Sequence, residues 1–194
     1  MPFVFKRLAL LMSIAAVFAA DKETAFKAPP MSSLAHRQTN GKVTIGVDPY
    51  VTEEKIKAAF GKVNPYQYGI LPVLIVIQND GDQAIRLNKM AAEYVGPGTN
   101  KVEATPAGDV RYLGGANRPS VPVGPIPSHI KKSPLNAWEI EGRAFAAEML
   151  PPGNTASGFL YFQTGLQPES HILVSGLREA KTGTELLFFE IPLR

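Results

Sequence analysis

The segment Leu71–Leu87, LPVLIVIQNDGDQAIRL, constrains this chain more than any other. A run of branched apolar residues ends at Asn79-Asp80-Gly81-Asp82, and an alternating run begins beyond it. Branched apolar residues fit a pleated, buried surface, and Asp-Gly supplies the backbone freedom a tight connection needs. The spacing predicts two buried strands. Ile70–Gln78 is apolar on both faces and is expected to be central and covered on both sides. Pro72 has no N–H for a ladder, so it belongs near that strand's start. The turn is either a hairpin or a corner between two sheets, and the corner is favoured.

Other strands are expected at Lys42–Asp48, Gln83–Asn88, Ala91–Val95, Lys101–Thr105, Gly142–Leu150, Ser157–Thr164, His171–Arg178 and Glu185–Pro192. Gly96–Asn100 reads as a hairpin loop, and Lys181–Thr184 as the turn of the last pair. Strands repeating about every 10 residues predict an all-β, antiparallel sandwich. Gly142–Leu150 has a helical alternative, because AFAAEML contains strong helix formers. One short helix is expected over Thr52–Phe60. Thr52 is a good N-cap, Glu53 and Glu54 suit the positive end of the helix dipole, and Gly61 suits the left-handed stop. Its stripe of Ile56, Ala59 and Phe60 needs a surface to cover, expected to be an open end of the β-structure. In Leu150–Asn154, Pro152-Gly153 predicts a type II turn. Gly158, before an aromatic run, suggests a bulge or a close backbone approach. Gly114–Pro134 is a long loop with five prolines, and such loops in compact domains are often functional.

The N-terminus reads as an address. Lys6-Arg7 precedes the apolar stretch Leu8–Phe18, which is too short for the roughly 20 residues a membrane-spanning helix needs. Val17-Phe18-Ala19 places small residues where a signal peptidase reads, so residues 1–19 are expected to be a signal peptide cleaved after Ala19, with Ala20 as the near alternative. Secretion or export to a periplasm follows as an expectation. Residues 20–40 read as a flexible leader, and 41–194 as a single domain. The 175 residues left after cleavage are enough for a sizeable core. Removing Lys6 and Arg7 leaves 18 basic and 17 acidic side chains. That balance, with the cations scattered, argues against a nucleic-acid partner. The absence of cysteine excludes disulfides, thiolate catalysis, thiolate metal sites and a lipidated cysteine.

Two segments together resemble a known group. These are PVLIVIQNDGDQAIRL and, further on, Leu150-Pro151-Pro152-Gly153 followed by Ser157-Gly158-Phe159-Leu160-Tyr161-Phe162. Over Ile70–Leu193 the chain resembles small secreted immunoglobulin-like domains of bacterial envelope proteins, many of them uncharacterised or accessory to lipoproteins. The resemblance implies an immunoglobulin-like sandwich with an extracytoplasmic binding or scaffolding role, and it brings no catalytic residues. The chain departs from that pattern in lacking the lipidated cysteine and in adding the Thr52–Phe60 helix and the proline-rich loop.

Chemistry-bearing residues are sparse. His36, His129 and His171 are not at metal-ligand spacing. His36 is expected in the leader, and His171 at a surface or strand edge. Ser128-His129 and Ser170-His171 are neighbours in sequence, which does not aim a serine oxygen at an imidazole. No nucleophile elbow or phosphate loop occurs. Asp109 with Glu139 or Glu141 is the one candidate carboxylate pair, and solvated surface acids are the plainer reading. No cofactor, no metal and no enzymatic activity are expected, a hydrolase with an unrecognised site being the remote alternative. Two binding patches are candidates. Arg111, Arg118, His129, Lys131 and Lys132 flank the proline-rich loop and offer an anion patch, against the plainer reading of a solvated loop. Tyr66, Tyr68 and Trp138, with Tyr50 and Tyr112, offer a stacking platform, against plain packing at the sandwich's end. The apolar C-terminal strand, Leu186–Ile191, raises a further option. If it is an exposed edge, it invites strand pairing with an envelope partner, as in assembly or chaperone-like proteins.

Overall fold

The structure, a computed structural model, describes residues 26–98, 100–113 and 133–193. The expected signal segment and all but the last two residues of the proline-rich loop lie outside the described residues. In chain order the strands are β1 (His36–Asn40), β2 (Val43–Pro49), β3 (Leu71–Asn79), β4 (Ile85–Arg86), β5 (Ala91–Val95), β6 (Lys101–Glu103), β7 (Met149–Leu150), β8 (Thr155–Phe162), β9 (His171–Ser175), β10 (Arg178–Glu179) and β11 (Phe189–Pro192). They form two four-stranded antiparallel sheets, ordered β1-β2-β3-β8 and β11-β9-β5-β6, and a small sheet ordered β10-β4-β7. The chain is an all-β sandwich. Lettered in the immunoglobulin manner, β2, β3 and β8 take the places of strands A, B and E, and β11, β9, β5 and β6 those of G, F, C and C′. β1 is an added strand before A.

β3 is the centre, as its composition requires. It pairs with β2 through Ile45↔Ile77 and Val47↔Ile75, and with β8 through Leu74↔Phe159 and Pro72↔Tyr161. Its period-two alternation divides it between two cores. Val73, Ile75 and Ile77 face the second sheet and meet Tyr94, Ile172, Val174, Phe189 and Ile191. Leu74 and Val76 face outward and meet Ile56, Phe60, Val110, Ile140 and Phe159. Each such fully buried side chain contributes about 1.5–3 kcal/mol relative to exposure. Pro72 stands second in the strand, and its carbonyl accepts the Tyr50 N–H at 2.9 Å.

The helix forms over Glu53–Phe60 (α1), with the Thr52 hydroxyl accepting the Lys55 N–H at 3.4 Å and Gly61 at φ 61°. It does not close an open end. It covers the outer face of the first sheet, because that face is apolar and would otherwise meet water. Two further helical turns, α2 (Ala107–Val110) and α3 (Trp138–Gly142), share this layer, where the sequence suggested one helix.

Two expectations are corrected. Gly142–Leu150 is neither a full strand nor a helix. Only Met149–Leu150 is a strand, and Arg143–Phe145 runs along β8, with Phe159 N–H donating to the Arg143 carbonyl at 2.8 Å and Phe145 N–H to the Phe159 carbonyl at 3.0 Å. Gly158 permits this approach, as a Cβ there would stand 2.9 Å from the Ala144 carbonyl carbon. The stretch 36–40, expected within the leader, is instead β1. It is half-buried and exposed in alternation with polar residues throughout, so its strand period leaves no apolar trace. Ahead of it, Phe26 packs its ring against Phe159 at 5.3 Å. Of the two places expected for His171, a surface or a strand edge, the structure gives the first: β9 lies between β11 and β5, and His171 is half-buried where it lines an open cleft.

The turn at Asn79–Asp82 is the favoured corner. It carries the chain out of the first sheet, through β4, to β5 in the opposite one. Pro152-Gly153 forms its turn, with Gly153 at φ 72° and Asn154 N–H donating to the Pro151 carbonyl at 3.2 Å.

Candidate functional site

The two main sheets meet along two seams, and the seams differ. On one side Thr105, just past β6, bridges to Tyr161 of β8 by its backbone N–H at 2.7 Å. On the other, β1 and β11 are joined by side chains. Gln38 Oε1 accepts the Glu190 N–H at 2.6 Å, and Asn40 Nδ2 donates to the Phe188 carbonyl at 2.7 Å. Gln38 and Asn40 reach across because alternate side chains of β1 point to one face.

A cleft of about 350 Å³ opens at this seam, lined by Gln38, Glu169, Ser170, His171, Phe188, Glu190 and Pro192. His171 Nε2 lies 3.3 Å from Glu190 Oε1. Ser170 directs its hydroxyl to the Gln167 carbonyl at 2.6 Å, so its oxygen is committed to the turn that precedes β9. Glu169 in that turn is left-handed at φ 58°, a conformation uncommon for residues other than glycine and asparagine. Phe188 is 55% exposed and its neighbour Leu187 is 75% exposed. A second cleft, of about 270 Å³, lies at the β1–β2 turn against Asn79, Gly81 and Leu186.

The anion patch is represented here by Arg111 alone, since Arg118, His129, Lys131 and Lys132 lie outside the described residues. Arg111 already has partners. Its Nη2 pairs with Glu141 Oε1 at 2.6 Å, its Nε donates to the Gly108 carbonyl at 2.8 Å, and it lies over the Tyr112 ring. Glu141 is thus held by a guanidinium. The aromatic candidates are split between roles. Tyr66 is half-buried between the two cores, Tyr68 is exposed, and Trp138 is 60% exposed with the Arg143 guanidinium 5.4 Å from its ring. Tyr50 is a core residue in edge contact with Phe159. No ring contact joins Tyr66, Tyr68 and Trp138 among the described residues. Among the described residues, no group of three or more His, Asp and Glu is placed to hold a metal ion.

Two buried phenols carry a pH dependence. Burial, and then the Asp48 carboxylate, pushes the Tyr50 hydroxyl up to about 12. Burial also pushes Tyr161 far up, and its hydroxyl donates to the Ile140 carbonyl at 2.8 Å. A raised folded value means that the neutral phenol stabilises the fold. That contribution is complete below the unfolded value of about 10 and is lost as pH rises above it. The melting temperature should therefore fall between pH 10 and 12, and Tyr50→Phe should fall less over the same interval. An identical fall in the variant would show that Tyr50 does not carry the effect.

Gln38, Asn40 and Glu169 lie outside the residues the sequence offers as candidates, whereas Phe188 and Glu190 belong to the apolar C-terminal strand Leu186–Ile191 that it offers for strand pairing. Gln38 and Asn40 sit in a polar run with no strand signal, and Glu169 in an irregular turn. Phe188-Phe189-Glu190 was legible only as part of an apolar strand.

No family model matches this chain. No curated protein matches it either. Among solved structures it is similar to a candidate lipoprotein of Bacillus subtilis, at 9% identity and TM-score 0.37 over 80% of this chain and 38% of that one. It is similar to a functionally unknown protein of Listeria monocytogenes, at 12% identity and TM-score 0.36 over 81% and 82%. It is also similar to the secreted protein MPT63 of Mycobacterium tuberculosis, at 12% identity and TM-score 0.32 over 79% and 89%. This chain thus spans well under half of the Bacillus protein. Likenesses this loose bear on neither ligand nor activity.

Proposed function

We propose that this protein is an extracytoplasmic, non-enzymatic binding module. The observation that carries the reading is the exposed Leu187-Phe188 pair beside the cleft at the β1–β11 seam. Exposed apolar side chains rimmed by polar groups are typical of interaction surfaces. The placement outside the cytoplasm rests on the signal-like residues 1–19. No helix among the described residues is long and apolar enough to cross a membrane, which agrees with this reading. Its partner is a protein or another envelope component.

Photo-crosslinking tests it. A crosslinking residue placed at 188 should capture an envelope partner, and one at exposed Met149 should not. Equal capture at both positions, capture at neither, or turnover of esterase, phosphatase or glycosidase substrates would overturn the reading. N-terminal sequencing of the exported protein should begin at Ala20.

A further inference from the structure

Arg143 is half-buried where the chain leaves α3. Among the described residues it forms no ion pair, and its Nη1, cut off from solvent, has no acceptor. Its neighbours are aromatic instead. The guanidinium carbon lies 5.7 Å from the centre of the Phe26 ring and 5.4 Å from that of Trp138. Ring faces attract a cation, but they do not take up the N–H groups in its plane. The cost of burying the charge is therefore only partly offset. All three groups are held in place. The Arg143 carbonyl accepts the Phe159 N–H of β8 at 2.8 Å. Phe26 packs against Tyr50 and Phe159, with ring centres 6.1 and 5.3 Å away. Trp138 opens α3 and folds back over Gly142, where a Cβ would stand 2.9 Å from the indole. The Trp138 side chain is nonetheless left largely open to solvent.

We infer that Arg143, Trp138 and Phe26 form a seat for a sugar acid, whose carboxylate meets the edge of the guanidinium and whose ring lies on the open face of Trp138. A guanidinium stacked on aromatic rings presents a fixed fork that matches a carboxylate through two parallel hydrogen bonds. Nη1 is the sealed nitrogen, which leaves the edge formed by Nε and Nη2 for the ligand. A carboxylate there would neutralise the charge whose burial lacks a partner. The indole beside it supplies an apolar surface of the size of a sugar ring. The acids of α3 narrow the class further. Glu141 is held by Arg111, and neither Glu139 nor Glu141 pairs with Arg143. Carboxylates only accept hydrogen bonds, so they suit the hydroxyls of a sugar, and they repel a second negative charge. A singly charged, hydroxylated acid therefore fits better than phosphate. Because the three groups are already in position, binding need not order them. The seat shares no residue with the cleft at the β1–β11 seam and is independent of the partner proposed there.

Trp138 is the only tryptophan of the chain, so tryptophan fluorescence reports on this seat directly. Methyl β-glucuronide titrated into the full chain should change the emission saturably, with a Kd on the order of 1 mM, the scale for so small a ligand. Methyl β-glucoside, acetate and inorganic phosphate at the same concentrations should not. Arg143→Lys keeps the charge but loses the fork, and should weaken binding by about tenfold. Arg143→Met should abolish binding without lowering the melting temperature, because it removes a charge that has no partner. If the methionine variant melts lower, the lysine variant decides. No response to the glucuronide would overturn the inference. An equal response to the glucoside would show stacking without the carboxylate, and an equal response to phosphate or acetate a bare anion site, and either result overturns it. Unchanged binding in Arg143→Lys would do the same.

Discussion

Asn79→Ala is expected to be among the most damaging single changes in this protein, lowering stability by about 3 kcal/mol. Asn79 is fully buried at the corner where the chain leaves β3. Its Nδ2 donates to the Gln83 carbonyl at 2.8 Å and to the Leu150 carbonyl at 3.1 Å, while its Oδ1 accepts the Gly81 N–H at 3.0 Å. Its backbone exchanges two more bonds with the turn before β8, with Asn154 at 3.0 Å and Gly153 at 2.8 Å. One residue thus holds together β3, the corner and the turn that feeds β8. Alanine would leave two carbonyls and an N–H without partners, each costing about 1–3 kcal/mol where water cannot reach. The melting temperature should fall by about 10 °C for a domain of this size. Asn79→Asp should also destabilise, because a carboxylate cannot donate to the two carbonyls. Unchanged melting of the alanine variant would mean that water replaces the amide.

The second large effect is expected at Gly158. Its absent Cβ would collide with the backbone of Ala144 and Phe145 rather than with a yielding side chain. Gly158→Ala must therefore push the Arg143–Phe145 segment off β8 and break the two backbone bonds it makes to Phe159. A cost of about 3 kcal/mol or more follows from overpacking together with the lost bonds. Hydrogen exchange separates this from general weakening, since the Phe145 and Phe159 amides should lose protection before those of β2. Retained protection at both amides would show that the segment adjusts without leaving the sheet.

These two positions mark how far the sequence was legible. The apolar run of β3, the caps of α1, the Pro152-Gly153 turn and the hairpin of β5 and β6 are local patterns, and the structure carries each of them. Even the Gly158 approach was foreseen, although its partner segment was not. The misses came from elements whose pattern is set by distant neighbours. β1 is polar on both faces because it lies at a seam. Met149–Leu150 is too short for a period to be seen. The cleft draws Gln38, Glu169 and Glu190 from three separated stretches, so no motif could announce it. Arg111 illustrates the opposite failure. It stands out as a cation in the sequence, but Glu141 and the Gly108 carbonyl occupy it.

The central strand has a consequence for how this chain reaches its fold. β2 and its turn supply one neighbour of β3 early, whereas β8 begins at Thr155, long after β3 has ended at Asn79. Until that later segment arrives, Leu71–Asn79 has one unpaired flank, and its inner apolar face still lacks β9 and β11. Long-range pairing of this kind slows folding, and unpaired apolar strands recruit other chains. Refolding yield should therefore depend strongly on protein concentration. The stretch most exposed to misassembly is then the one most deeply buried in the finished molecule.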